Sequence, residues 1–192
     1  MMLWKKLFNV LLTGDTKVSS KSTIDVEGTF KLGGTTVSAT ADEINRSLDA
    51  SARIVTTTAT ALSLSVASHG ERVLLVNTNS TVANTFTLPV ATGSGVKFTI
   101  INNIAQTQGS VVVAANGTTD TVKGLAVMVN STAANAQAFL TSATSDKVTL
   151  NRTTTGGLGQ DLIECWDSEA NVWNIRVVAN GSGTLATPFS AT

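Results

Sequence analysis

Tyrosine is absent from the sequence, and cysteine and histidine each occur once. The single cysteine, Cys165, excludes a disulfide framework within the chain. Because His69 is the sole histidine, no Cys/His cluster with zinc-ligand spacing exists, and we predict no metal site. We expect Cys165 to be a buried, inert thiol and His69 to lie in a turn. A Cys–His catalytic pair is the alternative, since residues that are neighbours in space cannot be recognised from sequence.

Charged residues are also few, at 14% of the 192 residues, and the formal net charge is +0. Nucleic-acid binding relies on clustered Lys and Arg, so this composition argues against a nucleic-acid partner. Hydrophobic residues nevertheless reach 42%, which argues against a disordered chain. A polar, Thr-rich and Val-rich chain suits strands with one solvated face. The predicted fold class is therefore mainly β.

Short apolar segments separated by turn residues recur from Ser51 onward. Leu62, Leu64 and Val66 alternate with serines, which is typical of a half-buried strand. About ten such strands, with turn signals roughly every 8–12 residues, predict an antiparallel β-sandwich or a jelly-roll-like domain. A regular short period is missing, and this argues against a β-helical shaft.

Three regions follow from this pattern. Residues 1–50 are interpreted as an N-terminal docking helix, an extended arm and a hinge helix, which makes one or two short helices in all. Residues 51–180 form the β domain, in which the last two strands are expected to pair as a hairpin. Residues 181–192 are expected to be a flexible C-terminal tail.

The first fourteen residues have one apolar helical face, formed by Trp4, Leu7, Phe8 and Leu11 together with Leu3 and Leu12. This segment is too short for a transmembrane helix, which needs about 20 apolar residues. The segment is not followed by the small-residue cleavage site of a secretory signal. An interfacial membrane anchor would usually be more basic, so we predict no membrane partner. We interpret the segment as a docking helix that buries its apolar face against a partner or sister subunit. The alternative is that it folds back onto its own β domain.

The hinge helix has the clearest start signal in the chain. Thr40 can cap the first turn, and Glu43, three residues later, can reach back to the Thr40 N–H. Ile44 and Leu48 are four residues apart and form a short apolar stripe. A helix of about two turns is not stable alone in water, so it must pack on something. Another copy of the chain is a good candidate.

The segment from Gly33 to Asp49, Gly-Gly-Thr-Thr-Val-Ser-Ala-Thr-Ala-Asp-Glu-Ile-Asn-Arg-Ser-Leu-Asp, resembles one that is common in structural proteins of tailed bacteriophages. These include head fibres, capsid decoration proteins and tail fibres. Here Ile44 stands where Leu is usual, one extra residue precedes Leu48, and Ala50 stands where Gly often follows. The segment 88–98, Leu-Pro-Val-Ala-Thr-Gly-Ser-Gly-Val-Lys-Phe, is also similar to phage β-domain sequences.

The resemblance implies a non-enzymatic virion protein, without a cofactor, that decorates or cements the capsid or forms a head fibre. It would be assembled in the bacterial cytoplasm, be carried on the capsid surface as a homotrimer, and have the major capsid protein as its partner. A tail-fibre module that recognises host carbohydrate is the alternative.

Two further clusters contain residue types that occur in phosphate-binding or catalytic sites. Residues 155–159 are not a phosphate loop, because no Lys-Ser/Thr follows, and we expect a flexible loop. The acidic residues Asp161, Glu164, Asp167 and Glu169 are expected to serve turn solubility rather than glycoside hydrolysis.

Overall fold

The computed structural model describes residues 31–41, 43–44 and 53–191. The predicted docking residues Trp4, Leu7, Phe8 and Leu11, and also Leu48 of the hinge helix, lie outside the described residues.

The chain divides after Ala39 into two compact units. In the described part of the first unit, β1 (Lys31–Leu32) and β2 (Thr35–Thr36) pair as an antiparallel hairpin. Gly33 and Gly34 form its turn with φ values of 55° and 83°. Positive φ at both central residues is what a two-residue hairpin turn requires, and glycine adopts it without steric cost.

The second unit is a β-sandwich of two mixed sheets. Its elements are β3 (Ile54–Thr57), β4 (Ala61–Ser63), α1 (Val66–His69), β5 (Val73–Val76), β6 (Asn84–Thr87), β7 (Lys97–Asn102), β8 (Val111–Ala114), β9 (Thr121–Asn130), β10 (Ala136–Leu140), β11 (Lys147–Leu150), β12 (Asp161–Glu169), β13 (Val172–Gly181) and β14 (Phe189–Ser190). A seven-stranded sheet has the order β10-β9-β13-β12-β7-β5-β3, and a five-stranded sheet has the order β14-β11-β8-β6-β4. The predicted mainly-β sandwich is confirmed.

The prediction that the sheets are antiparallel, as a jelly roll requires, is wrong. β3, β5 and β7 run parallel in one sheet, and β4, β6 and β8 run parallel in the other. Successive strands alternate between the sheets, so residues 54–114 wind through three coils, each with one strand per sheet. These coils locally resemble a β-helix, an architecture that the sequence argues against because no regular short period is visible. The period is missing because stacked residues such as Val55, Leu74 and Ile100 are unequally spaced along the chain.

Antiparallel pairing dominates the second half of the domain. β12 and β13 form the predicted terminal hairpin, and β12 also pairs with β7 of the last coil. β13 then pairs in parallel with β9 along ten residues, so the long strands extend the seven-stranded sheet sideways to β10.

The core lies between the two sheets, where alternate residues of each strand point inward. Trp173 is fully buried at its centre and meets the ring of Phe98 edge to face, with 5.6 Å between centroids. Its Nε1–H donates to the carbonyl oxygen of Pro89 at 3.2 Å, which satisfies the polar end of the indole.

The C-terminal segment belongs to this core, and the prediction of a flexible tail is wrong for residues 181–191. β13 continues to Gly181, and β14 adds to the edge of the five-stranded sheet through β11. Leu185 and Phe189 are each only 7% exposed. These two apolar side chains hold the segment against the sandwich, and the surrounding Gly, Ser and Thr residues obscure them in the sequence.

Candidate interaction surface

Cys165 and His69, the two residues considered for nucleophilic chemistry, both make contacts that serve the fold. Cys165 points into the core from β12, and burial, followed by the charge of Glu164, raises the pKa of its thiol. Its thiol therefore stays protonated at neutral pH. His69 ends α1, where its Nδ1 accepts a hydrogen bond from the Ser65 N–H at 3.1 Å. Partial burial is the main reason that the pKa of His69 is lowered. The expected buried thiol is confirmed, whereas His69, which was expected in a turn, is the last residue of the one-turn helix α1.

Asp167 joins β12 to the loop between β6 and β7. Its carboxylate accepts hydrogen bonds from the backbone N–H groups of Thr92, Gly93 and Ser94 and from the hydroxyls of Thr92 and Ser94, at 2.6–3.0 Å. Burial opposes ionisation, but these donors outweigh it and lower the pKa of Asp167 to about 2. These five donors engage both carboxylate oxygens, so Asp167 fastens residues 92–94 to β12.

Asp161 lies at the other end of β12 and is fully buried. It accepts from Asn102 Nδ2 at 2.8 Å, from the Gly157 N–H at 3.1 Å and from the Asn180 N–H at 2.8 Å. Burial nevertheless raises its pKa. Residues 155–157 are buried against it, so the predicted flexible loop is a packed one. Asp161 therefore holds residues 155–157 against the ends of β7 and β13.

Glu164 faces outward from β12 but is shielded by two cations. Lys97 Nζ lies 2.5 Å from one carboxylate oxygen, and Arg176 contacts the other. Burial alone would raise the pKa of Glu164, but the two cations lower it. Lys97 also lies over the ring of Trp166, 5.0 Å from its centroid. The expectation that the acidic cluster serves turn solubility is therefore wrong for its three buried members and fits only Glu169, which is exposed.

A patch of aliphatic side chains covers the outer surface of the seven-stranded sheet at its β10 edge. The strand register places Ala138 beside Val127 and Val127 beside Val178, while Leu140 lies beside Leu125. Leu140 is 76% exposed and Val129 is 49% exposed, and both belong to one contiguous apolar surface rather than to scattered positions. We call this surface the aliphatic face, and its members are Leu125, Val127, Val129, Ala136, Ala138, Leu140 and Val178.

The outer surface of the five-stranded sheet differs in character. Its central positions are polar, as with Thr85 and Thr87 on β6 and Thr149 on β11, and Val112 on β8 is only partly exposed. A sandwich with one solvated polar face of this kind is the usual pattern. The aliphatic face is therefore a feature of one side of the molecule and not of its outer surfaces in general.

The aliphatic face ends at an unprotected strand. β10 is an edge strand of the sheet, and residues 131–145 around it contain no charged side chain. Natural edge strands usually carry a charge, a proline or a bulge that blocks association with another chain. A hollow of about 530 Å³ lies beside the face and is lined by Val129, Leu158, Val178 and neighbouring residues. Both features favour contact with another surface.

This face was not predicted from the sequence. The signal was the uninterrupted apolar run of residues 125–129, Leu-Ala-Val-Met-Val. Its inward members Ala126 and Met128 are fully buried, while the residues between them face outward. A continuous apolar run in a strand indicates that both faces are meant for burial.

Part of the predicted hinge helix is described. The Thr40 N–H donates to Glu43 Oε2 at 2.7 Å, and the Glu43 N–H donates to Thr40 Oγ1 at 3.2 Å, so the predicted capping box is confirmed. Ile44 follows in helical conformation, its N–H donating to the Thr40 carbonyl at 3.0 Å, and its side chain is exposed. The predicted role of this helix between copies stays a prediction.

Comparison with known protein families, curated proteins and solved structures finds no match for the chain. In the described residues, no group of three or more His, Cys, Asp or Glu side chains is arranged to hold a metal ion. Within that same part of the chain, no helix has the length and apolar character needed to cross a membrane.

Proposed function

We propose that this chain is a non-enzymatic virion structural protein of a tailed bacteriophage, of the capsid decoration or head-fibre type. It attaches to the major capsid protein as a homotrimer and stabilises or ornaments the capsid surface. The observation that carries the proposal is a neutral β-sandwich with one large aliphatic face, joined to a phage-like segment whose capping box at Thr40 and Glu43 is formed.

The proposal assigns different roles to two regions of the chain. The apolar face of the N-terminal segment, with Trp4 and Phe8 at its centre, contacts the capsid, and the β domain projects outward. Three modest contacts made through one trimer raise the effective affinity without additional chemistry. A low charge on the β domain suits this arrangement, since copies crowded on a shell do not repel each other strongly.

Immunogold labelling of purified virions tests the location. Antibodies raised against the purified chain should label the head surface of the phage that encodes it. Label confined to the tail would support the alternative, and virions without any label would overturn both. A matched control uses the same antibodies after absorption with the purified chain.

Deletion of residues 1–14 tests the docking segment separately. We expect the deleted chain to fold but to lose most of its occupancy on virions, while the double variant Val82→Glu and Val90→Glu, at exposed loop positions, keeps it. Unchanged occupancy after the deletion would remove the docking role.

The alternative is a tail-fibre module that binds host carbohydrate, for which aromatic platforms are usual. Trp166 is the partly exposed tryptophan of the described residues, and Lys97 covers one face of its ring. A glycan array that shows binding by the intact chain, and loss of binding by Trp166→Ala, would favour this function.

A further inference from the structure

The aliphatic face is contiguous and exposed, so it requires an explanation. Its seven members lie on three adjacent strands and form one continuous surface in the register of the sheet. Contiguous apolar patches of a few hundred Å² or more on a protein surface mark contacts with another molecule. Leaving Leu140 76% exposed and Val129 49% exposed to water has no structural benefit within the sandwich itself.

The charges around the face indicate what covers it. Arg176 lies beside Leu125 in the register of the sheet, two residues before Val178 on β13, and it is paired with Glu164 on β12. Lys123, two residues before Leu125 on β9, is paired with Glu169. The described charges that border the face are thus matched within the chain, and a complementary partner needs to be uncharged and aliphatic.

A second copy of this chain offers such a surface. The formal net charge of the chain is +0, so two copies approach without net repulsion. The aliphatic face continues into the uncharged edge strand β10 and the hollow beside Val129, so the surface that copies can share extends beyond its seven members.

We propose that the aliphatic face is the contact surface between copies of this chain. Leu140, Val127 and Val129 form the centre of the contact, and the paired charges Arg176–Glu164 and Lys123–Glu169 lie at its border. The inference rests on the homotrimer of the proposed function, in which the aliphatic faces of three copies meet around the threefold axis.

Light scattering coupled to size-exclusion chromatography tests the inference on the full chain over a range of concentrations. We expect the wild-type chain to elute as a multiple of its 19.8 kDa mass. Val129→Glu combined with Leu140→Glu buries two unpaired charges in each contact, and we expect the dissociation constant to rise at least about 100-fold. The matched control is Val82→Glu combined with Val90→Glu, because these valines are 58% and 55% exposed but lie in loops outside the face. It should elute like the wild type.

Cross-linking supplies a second readout. Val127→Cys places a thiol at the centre of the face, and a short bis-maleimide should join two copies through it. The native Cys165 is fully buried, so wild type should give no cross-link, and Val82→Cys is the exposed control. Circular dichroism should show the same fold in all variants.

A monomeric wild-type chain at about 100 µM, well above the dissociation constants of stable oligomers, would overturn the inference. So would an oligomer whose mass is unchanged by the double variant and that is not joined at Val127→Cys. Either result would assign the face to another occupant, such as the N-terminal segment of the same chain or a capsid protein. Virion labelling is an independent measurement. If virions are labelled but the double variant keeps the wild-type mass, only the contact surface is rejected. If virions are unlabelled but the double variant dissociates as expected, only the capsid location is rejected.

Discussion

At the scale of single residues, Asp167 is the side chain whose contribution to stability is easiest to isolate. Five hydrogen bonds converge on its carboxylate from residues 92–94, and both oxygens are engaged. Asp167→Asn places an N–H₂ group against these donors. We expect the free energy of unfolding to fall by about 2 kcal/mol, measured by urea denaturation at pH 7. Glu169→Gln is the control, because Glu169 is exposed in a surface ion pair, and it should change stability by less than about 0.5 kcal/mol.

The same residue predicts a pH dependence. An unfolded aspartate ionises with a pKa of about 3.9, whereas the pKa of folded Asp167 is lowered to about 2. Between these values the unfolded chain takes up a proton that the folded chain does not, so acid favours unfolding. The contribution of Asp167 is therefore fully present above about pH 5 and is lost as the pH falls towards 2. The stability difference between wild type and Asp167→Asn should shrink over that range, and a constant difference would contradict the assignment.

Residues with partners nearby in sequence could be predicted, and residues with distant partners could not. The capping box is visible because Thr40 and Glu43 are three residues apart. Cys165 is recognisable as buried from its apolar neighbours. Nothing local indicates that Asp167 meets Thr92, because that contact requires β12 to pair with β7, the strand that follows the loop of Thr92.

At the scale of elements, alternating apolar residues indicate strands, although Val66, predicted to continue the strand of Leu62 and Leu64, instead begins α1. The pattern in β7 shows why this works: Phe98 and Ile100 are buried, while Thr99 and Ile101 are only partly so. Strand direction was beyond reach, because the same alternation serves parallel and antiparallel neighbours. The parallel pairing of β9 with β13 depends on residues about fifty positions apart.

Gly124 illustrates a constraint that comes from the close approach of two strands. The strand is continuous from Thr121 to Asn130, and a Cβ at Gly124 would lie only 1.8 Å from the carbonyl oxygen of Ile175 on β13. Gly124→Ala must push the two longest strands apart, and we expect a loss of about 3 kcal/mol or more in thermal or urea unfolding. Gly117→Ala is the control: its φ is +63° but nothing lies within 4 Å of the added Cβ. It should cost only about 1 kcal/mol.

At the scale of the whole molecule, the sequence predicted a sandwich and missed both its three-coil start and its aliphatic face. Coils with loops of unequal length leave no period to detect, since Leu62, Phe86 and Val113 stack across the five-stranded sheet at irregular intervals. The face was missed because burial against another molecule and burial within a core leave the same apolar pattern in a strand. Only the packing of the finished fold separates them.

Residues 182–191 complete the sandwich and supply a test at this scale. The Thr149 N–H donates to the Pro188 carbonyl at 2.8 Å, and the Asp146 N–H donates to the Ser190 carbonyl at 3.0 Å, so β14 covers the edge of β11. Leu185 and Phe189 fill the adjoining core.

Ending the chain at Gly181 removes both apolar side chains, and we expect the free energy of unfolding to fall by about 4 kcal/mol or more. Urea denaturation followed by the fluorescence of the buried Trp173 measures this loss. Ending the chain at Ser190 is the matched control, since it keeps β14, and it should unfold like the wild type within about 0.5 kcal/mol. Equal stability of all three chains would mean that the sandwich is complete without its C-terminal strand, and the buried positions of Leu185 and Phe189 would then contribute nothing to folding.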